Sequence, residues 1–341
     1  MHFSQTLCLV ASRVMETRRL EHMGRVKGLA LTMAGSSAQR EQFFAAITEA
    51  LVNPTLSLVT YIYYFWRRIL LSGARFLKEG NQVLKAYDIT RIFSGVSGKK
   101  VALDQVSATF ERGITTLIGA NGSGKTTLLK ILATIDSPTS GTLQHNGETI
   151  GFKSSEDYRD CIGYVPQDVR FVSGMKCDEA LAYAAWVSGM SRSQAQPRIP
   201  EVLQLVGLSL KAKEKVGSLS GGQNRRLGIA AALIHRPDIL FLDEPTAGLD
   251  PQSRLEIREI LQALAQQATI VISTHLIDDV EGLSQKTLAL HEGRAVFHGT
   301  WHELSAAAAT DNSLNSSDKL ENALAFVSQR ASISSQEEDA L

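Results

Sequence analysis

One short segment limits what this chain can become. Thr115 to Leu129 reads TTLIGANGSGKTTLL, so an apolar run ends at Ile118, a glycine-rich turn follows, and a helical pattern opens at Lys125. The spacing Gly119-x4-Gly124-Lys125-Thr126 is that of a phosphate-cradling loop. Glycines let successive backbone N–H groups curl around phosphate oxygens, where a side chain would obstruct. The helix N-terminus behind the loop adds its positive dipole end. Lys125 is then placed to reach the β- and γ-phosphates, and the Thr126 hydroxyl to ligate Mg²⁺. The bland alternative is a chance glycine turn before a helix. The strand-like run before the turn and the helical pattern after it argue for the loop.

A second segment, Ile239 to Asp250, reads ILFLDEPTAGLD. Four apolar residues read as a buried central strand, and Asp243 emerges at its C-terminal end to hold Mg²⁺, directly or through water. Glu244 follows, where a carboxylate can polarise an attacking water as a general base. Two acids at a strand end also suit a solvated loop, but a buried-type strand delivering them to the nucleotide is the better reading. This strand is expected beside the one that feeds the phosphate loop. From residue 83 to about 305, short β-branched runs alternate with helical patterns, which argues for a parallel sheet flanked by helices.

A third segment separates families. Leu219 to Gln223 reads LSGGQ, just before a helix expected to begin near Asn224. LSGGQ is the signature of ATP-binding cassettes, and the chain resembles the ATP-binding subunit of an ABC transporter over about residues 83–305. Lys125, Gln167, Ser220, Asp243, Glu244 and His275 follow that family's order of motifs. The resemblance implies an α/β fold: a P-loop NTPase with a RecA-like parallel core, an antiparallel β subdomain, and a helical signature subdomain at about 168–225. The stretch between Lys125 and Ser220 leaves room for a compact subdomain and none for a long coiled-coil arm.

The resemblance also assigns roles. Gly119, Asn121, Gly122, Ser123, Gly124, Lys125, Thr126 and Thr127 would hold the phosphates of ATP. Ser220, Gly221, Gly222 and Gln223, at a second helix N-terminus, would bind the γ-phosphate held by a partner cassette, so that two cassettes sandwich two ATPs head to tail. Gln167, in YVPQD, would touch Mg²⁺ or the lytic water, joining Thr126 and Asp243 as metal-site residues. Asp250, in AGLD, would contact the partner near its P-loop. His275, ending IVISTH, would bond the γ-phosphate and orient Glu244; alone, a histidine after a strand means little. Adenine stacking falls to Phe93, with Tyr87 second, since either ring offers a face. Catalysis is therefore assigned to Glu244, His275, Gln167 and Lys125.

Composition bounds the partners. Lys plus Arg (35) equals Asp plus Glu (35), so no global field draws the protein to nucleic acid or anionic lipid, and no nucleic acid is expected. Cys8, Cys161 and Cys177 have neither metal-type nor disulfide-type spacing. No stretch reaches the ~20 apolar residues of a membrane span. The nearest, LSLVTYIYYFW from Leu56 to Trp66, is followed at once by Arg67-Arg68 and suits an interface instead. Leu7 to Ala11 is too brief for a secretory signal. Together with these bounds, the resemblance implies a protein at the cytoplasmic face of the membrane, peripheral to separate transmembrane permease subunits and paired with a second cassette as a homodimer.

Residues 1–82 carry no nucleotide motif. They read as an amphipathic membrane-lying segment, as a stretch upstream of a true start at Met15, Met23 or Met33, or as a loosely packed extension. Residues 306–341 read as an Ala/Thr/Asn/Ser linker, a short helix through Leu320, Leu324 and Phe326, and a polar tail. VRFVSGM, from Val169 to Met175, is apolar for a loop, which marks it and the helical section to Val187 as the surface for a membrane partner. Within the family the layout looks most like bacterial exporter cassettes; an importer cassette and a soluble ATPase are the alternatives.

Overall fold

The computed structural model describes residues 83–95, 98–152 and 155–309. The membrane-lying reading of Leu56 to Trp66 and the short helix at Leu320 lie outside them. The order is β1 Leu84–Gly95, β2 Gly98–Phe110, β3 Gly113–Ile118, α1 Lys125–Leu132, β4 Ser140–His145, β5 Glu148–Thr149, α2 Glu156–Arg159 and β6 Ile162–Val165. Then come α3 Cys177–Val187, α4 Arg192–Leu205, α5 Gly221–Leu233, β7 Ile239–Asp243, α6 Pro251–Ala265, β8 Thr269–Ser273, α7 Ile277–Leu283, β9 Lys286–His291, β10 Arg294–Gly299 and α8 Trp301–Ala309.

Two sheets form. The larger runs β10-β9-β3-β8-β7-β6, and the smaller runs β2-β1-β4-β5. In the larger sheet β9, β3, β8, β7 and β6 are parallel, and only β10 pairs antiparallel at the edge. Every residue of β3, β7 and β8 is buried. That is what a parallel sheet covered on both faces demands, and it is why these strands are dominated by aliphatic and β-branched residues. Neighbouring residues go to opposite faces. Leu117 and Leu288 join the large cluster with Leu128, Leu132 and the small sheet's Leu84 and Phe110. Ile118 and Ala289 join a second cluster with Val280 of α7 and Leu304 of α8. The result is an α/β core with an antiparallel β subdomain and a helical subdomain, in which α3, α4 and α5 pack on one another.

Three expectations need correction. The strand bearing Asp243 does not adjoin the strand feeding the phosphate loop: β8 lies between, pairing with β3 through Ile114↔Ile270 and with β7 through Leu240↔Ile270. All three strands are buried along their whole length, so their pattern carries no ranking of neighbours. The signature helix starts at Gly221, not near Asn224, because the Ser220 hydroxyl accepts from the Gln223 N–H at 3.2 Å and Gln223 Oε1 accepts from the Ser220 N–H at 3.1 Å. This reciprocal cap draws both glycines into the first turn. Finally, the alanines read as the start of a linker at residue 306 continue α8 to Ala309. Thr300 caps that helix, its hydroxyl accepting from the Glu303 N–H at 3.2 Å.

Candidate functional site

The C-terminal ends of β3, β7 and β8 converge at one edge of the large sheet, the place where open α/β sheets bind ligands. A cleft of about 520 Å³ opens there, lined by Phe93, Lys100, Ala102, Asn121, Gly122, Gly124, Lys125, Thr126, Thr127, Gln167, Glu244 and His275. Gly119 and Ser123 form the buried floor of the loop beneath it.

Two glycines make the loop. Gly119 has φ +151°, and a Cβ there would lie 2.3 Å from the Leu290 carbonyl oxygen. Gly124, at φ +105°, would place a Cβ 2.6 Å from the Ala102 carbonyl oxygen. Both neighbours are backbone and cannot yield, so the loop closes only without side chains at these two positions. Lys125 opens α1 and is nearly buried; its Nζ donates to the carbonyls of Gly119 at 2.7 Å and Ala120 at 2.9 Å. Burial pushes this ammonium below the ordinary lysine range, and the Glu244 and Asp243 carboxylates oppose that shift. The loop and its lysine are thus organised around a cationic centre with an anionic rim.

The acids divide by environment. Asp243 is 3% exposed. Its Oδ1 accepts from the Ser273 hydroxyl at 2.6 Å and from the Thr126 hydroxyl at 3.0 Å. Tyr164 nearby is pushed up to about 12 by burial, with the Asp243 charge adding to the effect. Glu244 faces the cleft. One of its oxygens accepts from Gln167 Nε2 at 3.1 Å, and the other lies 3.3 Å from His275 Nδ1. The backbone of Glu244 is left-handed, at φ +47°, which costs roughly 1–3 kcal/mol for a non-glycine residue. Its N–H is held by both the carbonyl (3.1 Å) and the hydroxyl (3.0 Å) of Ser273. The end of β8 therefore fixes an unfavourable turn that aims the carboxylate into the cleft.

The candidates named from sequence do not all meet. Ser220, Gly221, Gly222, Gln223 and Asp250 are absent from the cleft lining. Ser220 caps α5. Asp250 caps α6, accepting from the Ser253 N–H at 2.9 Å, and these hydrogen bonds hold its carboxyl below the usual range. The two caps are neighbours, since a Cβ on Gly222 would sit 2.2 Å from the Ser253 hydroxyl. Tyr87 does not line the cleft, whereas Phe93 does.

Sequence reasoning missed Lys100, Ala102, Ser273 and Arg225. Lys100 faces Phe93 across the β1–β2 ladder, a register no pattern announces because β1 carries several bulges. Ser273 was findable: it is the polar residue ending an apolar strand at the sheet's ligand-binding edge. Arg225 donates to the Pro166 carbonyl at 2.9 Å, beside Gln167. Burial lowers its pKa, while Asp168, Asp243 and Glu244 counter that effect.

The fold and cleft define a nucleotide-binding P-loop domain carrying a signature helix. The ABC transporter family model matches residues 103–247. The chain is 39% identical over 206 residues to the uncharacterized ABC transporter ATP-binding protein YxlF of Bacillus subtilis, covering 60% of this chain and 68% of that one. It is 32% identical to the linearmycin resistance ATP-binding protein LnrL of the same organism, covering 67% and 73% of the two chains. Among solved structures, the ATP-binding cassette MJ0796, a dimer in a post-hydrolysis state with ADP and Pi, matches at 25% identity and a TM-score of 0.58 over 64% of this chain and 98% of that chain. The chain belongs to the ABC transporter family as an ATP-binding, ATP-hydrolysing subunit.

Proposed function

We propose that two copies of this chain close head to tail around two Mg-ATP, hydrolyse them, and so drive export through separate transmembrane subunits at the cytoplasmic face of a membrane. One observation carries the reading: the P-loop, Gln167, Glu244 and His275 line one cleft, while the exposed helix N-terminus at Ser220–Gln223 stands outside it. An anion site without a cleft of its own and a cleft that holds the P-loop but lacks the signature residues suit completion by a second cassette.

In this reading the loop N–H groups and Lys125 hold the phosphates. Glu244 takes the proton of the attacking water, while Gln167 and His275 hold its two oxygens in place. Asp250 meets the partner near its P-loop, and Phe93 carries the base. The donor set of Thr126, Asp243 and the Gln167 amide is all oxygen and fits a hard divalent cation, which takes one or two carboxylates and completes its shell with phosphates and water. Bound there, magnesium neutralises charge on the phosphate oxygens.

The membrane partner falls to the surface around Val169–Met175 and α3. Val172, Tyr183, Trp186 and Val187 are 66%, 57%, 70% and 64% exposed. The three α3 residues, at i, i+3 and i+4, share one helix face. Such an apolar patch suits a docked helix better than water. No helix among the described residues is long and apolar enough to cross a membrane; in this reading the transmembrane path is supplied by separate chains. Export is favoured by relatives named for Nod factor export; relatives named for methionine import support the opposite direction, and transport into inverted versus right-side-out vesicles separates the two.

Glu244→Gln, made on the full chain, is expected to keep ATP binding while kcat falls by roughly 10²-fold or more, the scale of a lost general base. With Mg-ATP present, this variant should also recover a multispanning protein from detergent-solubilised membranes in near-equal amount. Equal hydrolysis by wild type and variant would remove the catalytic assignment. Recovery of only soluble partners would remove the transporter role.

A further inference from the structure

Phe93 is the aromatic residue of the cleft, and it is 41% exposed. An exposed ring on a hairpin edge is free to rotate, and a stacking platform that rotates loses part of its binding energy to ordering. This ring is braced. The Arg91 guanidinium carbon lies 4.6 Å from the Phe93 ring centroid. The guanidinium is itself anchored, its Nη2 donating to Asp136 Oδ1 at 2.8 Å with the two side chains only 23% and 27% exposed. Asp136 belongs to the turn that closes the P-loop helix: the N–H groups of Ile135 and Asp136 both bond the Lys130 carbonyl, at 2.8 and 3.1 Å. Asp136 Oδ1 also accepts from the Ser137 N–H at 2.8 Å, which fixes the carboxylate. Phe93 lines the cleft and Arg91 does not.

We propose that Arg91 is a positioning residue for the nucleotide base: it occupies one face of Phe93, leaves the other for adenine, and ties that platform through Asp136 to the end of the helix that carries Lys125. The inference rests on the reading of Phe93 as the base-stacking residue. Its consequence is that affinity for the base and affinity for the phosphates depend on different side chains and separate on mutation. The planar fork of arginine both stacks and bonds a carboxylate, and lysine cannot do both at once.

The test uses the full chain with Arg91→Ala, Arg91→Lys, Asp136→Asn and Phe93→Ala, measuring dissociation constants for ATP and for inorganic tripolyphosphate, and KM alongside kcat. Arg91→Ala should weaken ATP roughly two- to tenfold, the scale of one cation–π contact and its ordering. Tripolyphosphate affinity should hold, and the loss should appear in KM rather than kcat. Arg91→Lys should recover little of it. Asp136→Asn should shift ATP affinity the same way, and the Arg91→Ala/Asp136→Asn double variant no further than Arg91→Ala alone. Should Arg91→Ala fail to fold, Arg91→Gln takes its place. If ATP and tripolyphosphate weaken together, Arg91 is a structural staple and the proposal falls. If Arg91→Ala binds ATP as wild type while Phe93→Ala does not, the proposal falls and the stacking reading stands. If Phe93→Ala itself binds ATP normally, the stacking reading falls and the proposal with it.

Discussion

The hydroxyl of Ser273, wholly buried, joins the two acids of the cleft. It donates to Asp243 Oδ1 and accepts from the Glu244 N–H. One atom thus orients a carboxylate on the Thr126 side and pins a left-handed backbone on the other. Removing it leaves the buried Asp243 short of a donor, a loss worth roughly 1–3 kcal/mol. It also leaves only one acceptor holding the Glu244 turn. Ser273→Ala is therefore expected to lose roughly that much stability in denaturant melts, with kcat falling roughly 10- to 100-fold because the carboxylate is no longer aimed. ATP affinity, which the proposed function assigns mainly to the loop and Lys125, should change by no more than a few-fold. A kcat equal to wild type would show that the strained turn holds without its serine.

Among the elements, α5 grips the segment around Gln167 from one side. Asn224 Nδ2 donates to the Val169 carbonyl at 2.9 Å, Arg225 donates to the Pro166 carbonyl, and a Cβ on Gly228 would lie 2.9 Å from both Val169 methyls. Valine is stiff at χ1, so Gly228→Ala should push the segment outward and cost roughly 1–3 kcal/mol. Adding Val169→Ala should restore at least half of that cost, and thermal melts of the single and double variants check it. A second junction binds α7 to α6 and to the ends of β7 and β8. Asp279, fully buried, accepts from the hydroxyls of Thr246 and Thr274 and, at 2.8 Å, from Arg258 Nε. Asp279→Ala should cost roughly 3–5 kcal/mol in thermal melts by removing the buried carboxylate that the two hydroxyls and the Arg258 guanidinium share. These junctions also mark what a sequence conceals. The loop at Gly119–Thr127 and the acids after Leu242 are local, and spacing alone announces them; the cap at Ser220 is local too, but two glycines in the first turn hid it and moved the expected helix start to Asn224. Strand order, the lysine opposite Phe93 and the partners of Asp279 depend on which distant segments meet. Three wholly buried strands and a hairpin bent by left-handed residues at Asp88 and Gln105 leave no local trace of that.

For the whole molecule the decisive question is where one active site ends and another begins. Within a protomer the P-loop cleft and the Ser220–Gln223 helix N-terminus are separate, so in the head-to-tail pairing proposed above each site would be built from one loop and the partner's signature. Lys125→Ala disables a protomer's loop and spares its signature. Gly221→Asp does the reverse: Gly221 is exposed in the first turn of α5, where an acid suits the helix dipole and folding but repels an approaching γ-phosphate. Each variant alone should be nearly inactive, because every site in its homodimer carries one defect. Mixed in equal amounts, random pairing makes about half of the dimers hybrid, and each hybrid carries one site with both defects and one with none. Activity should then return to roughly a quarter of wild type. A site built wholly within one chain cannot be rescued this way, since each variant keeps its defect whatever it pairs with. Steady-state ATPase of the mixture against the separate variants makes the comparison. Recovery would confirm that the signature acts in trans, and activity no greater than the mean of the two would place both halves of the site on one chain or require both sites of a dimer to be intact, outcomes that Mg-ATP-dependent dimerisation of Glu244→Gln then distinguishes.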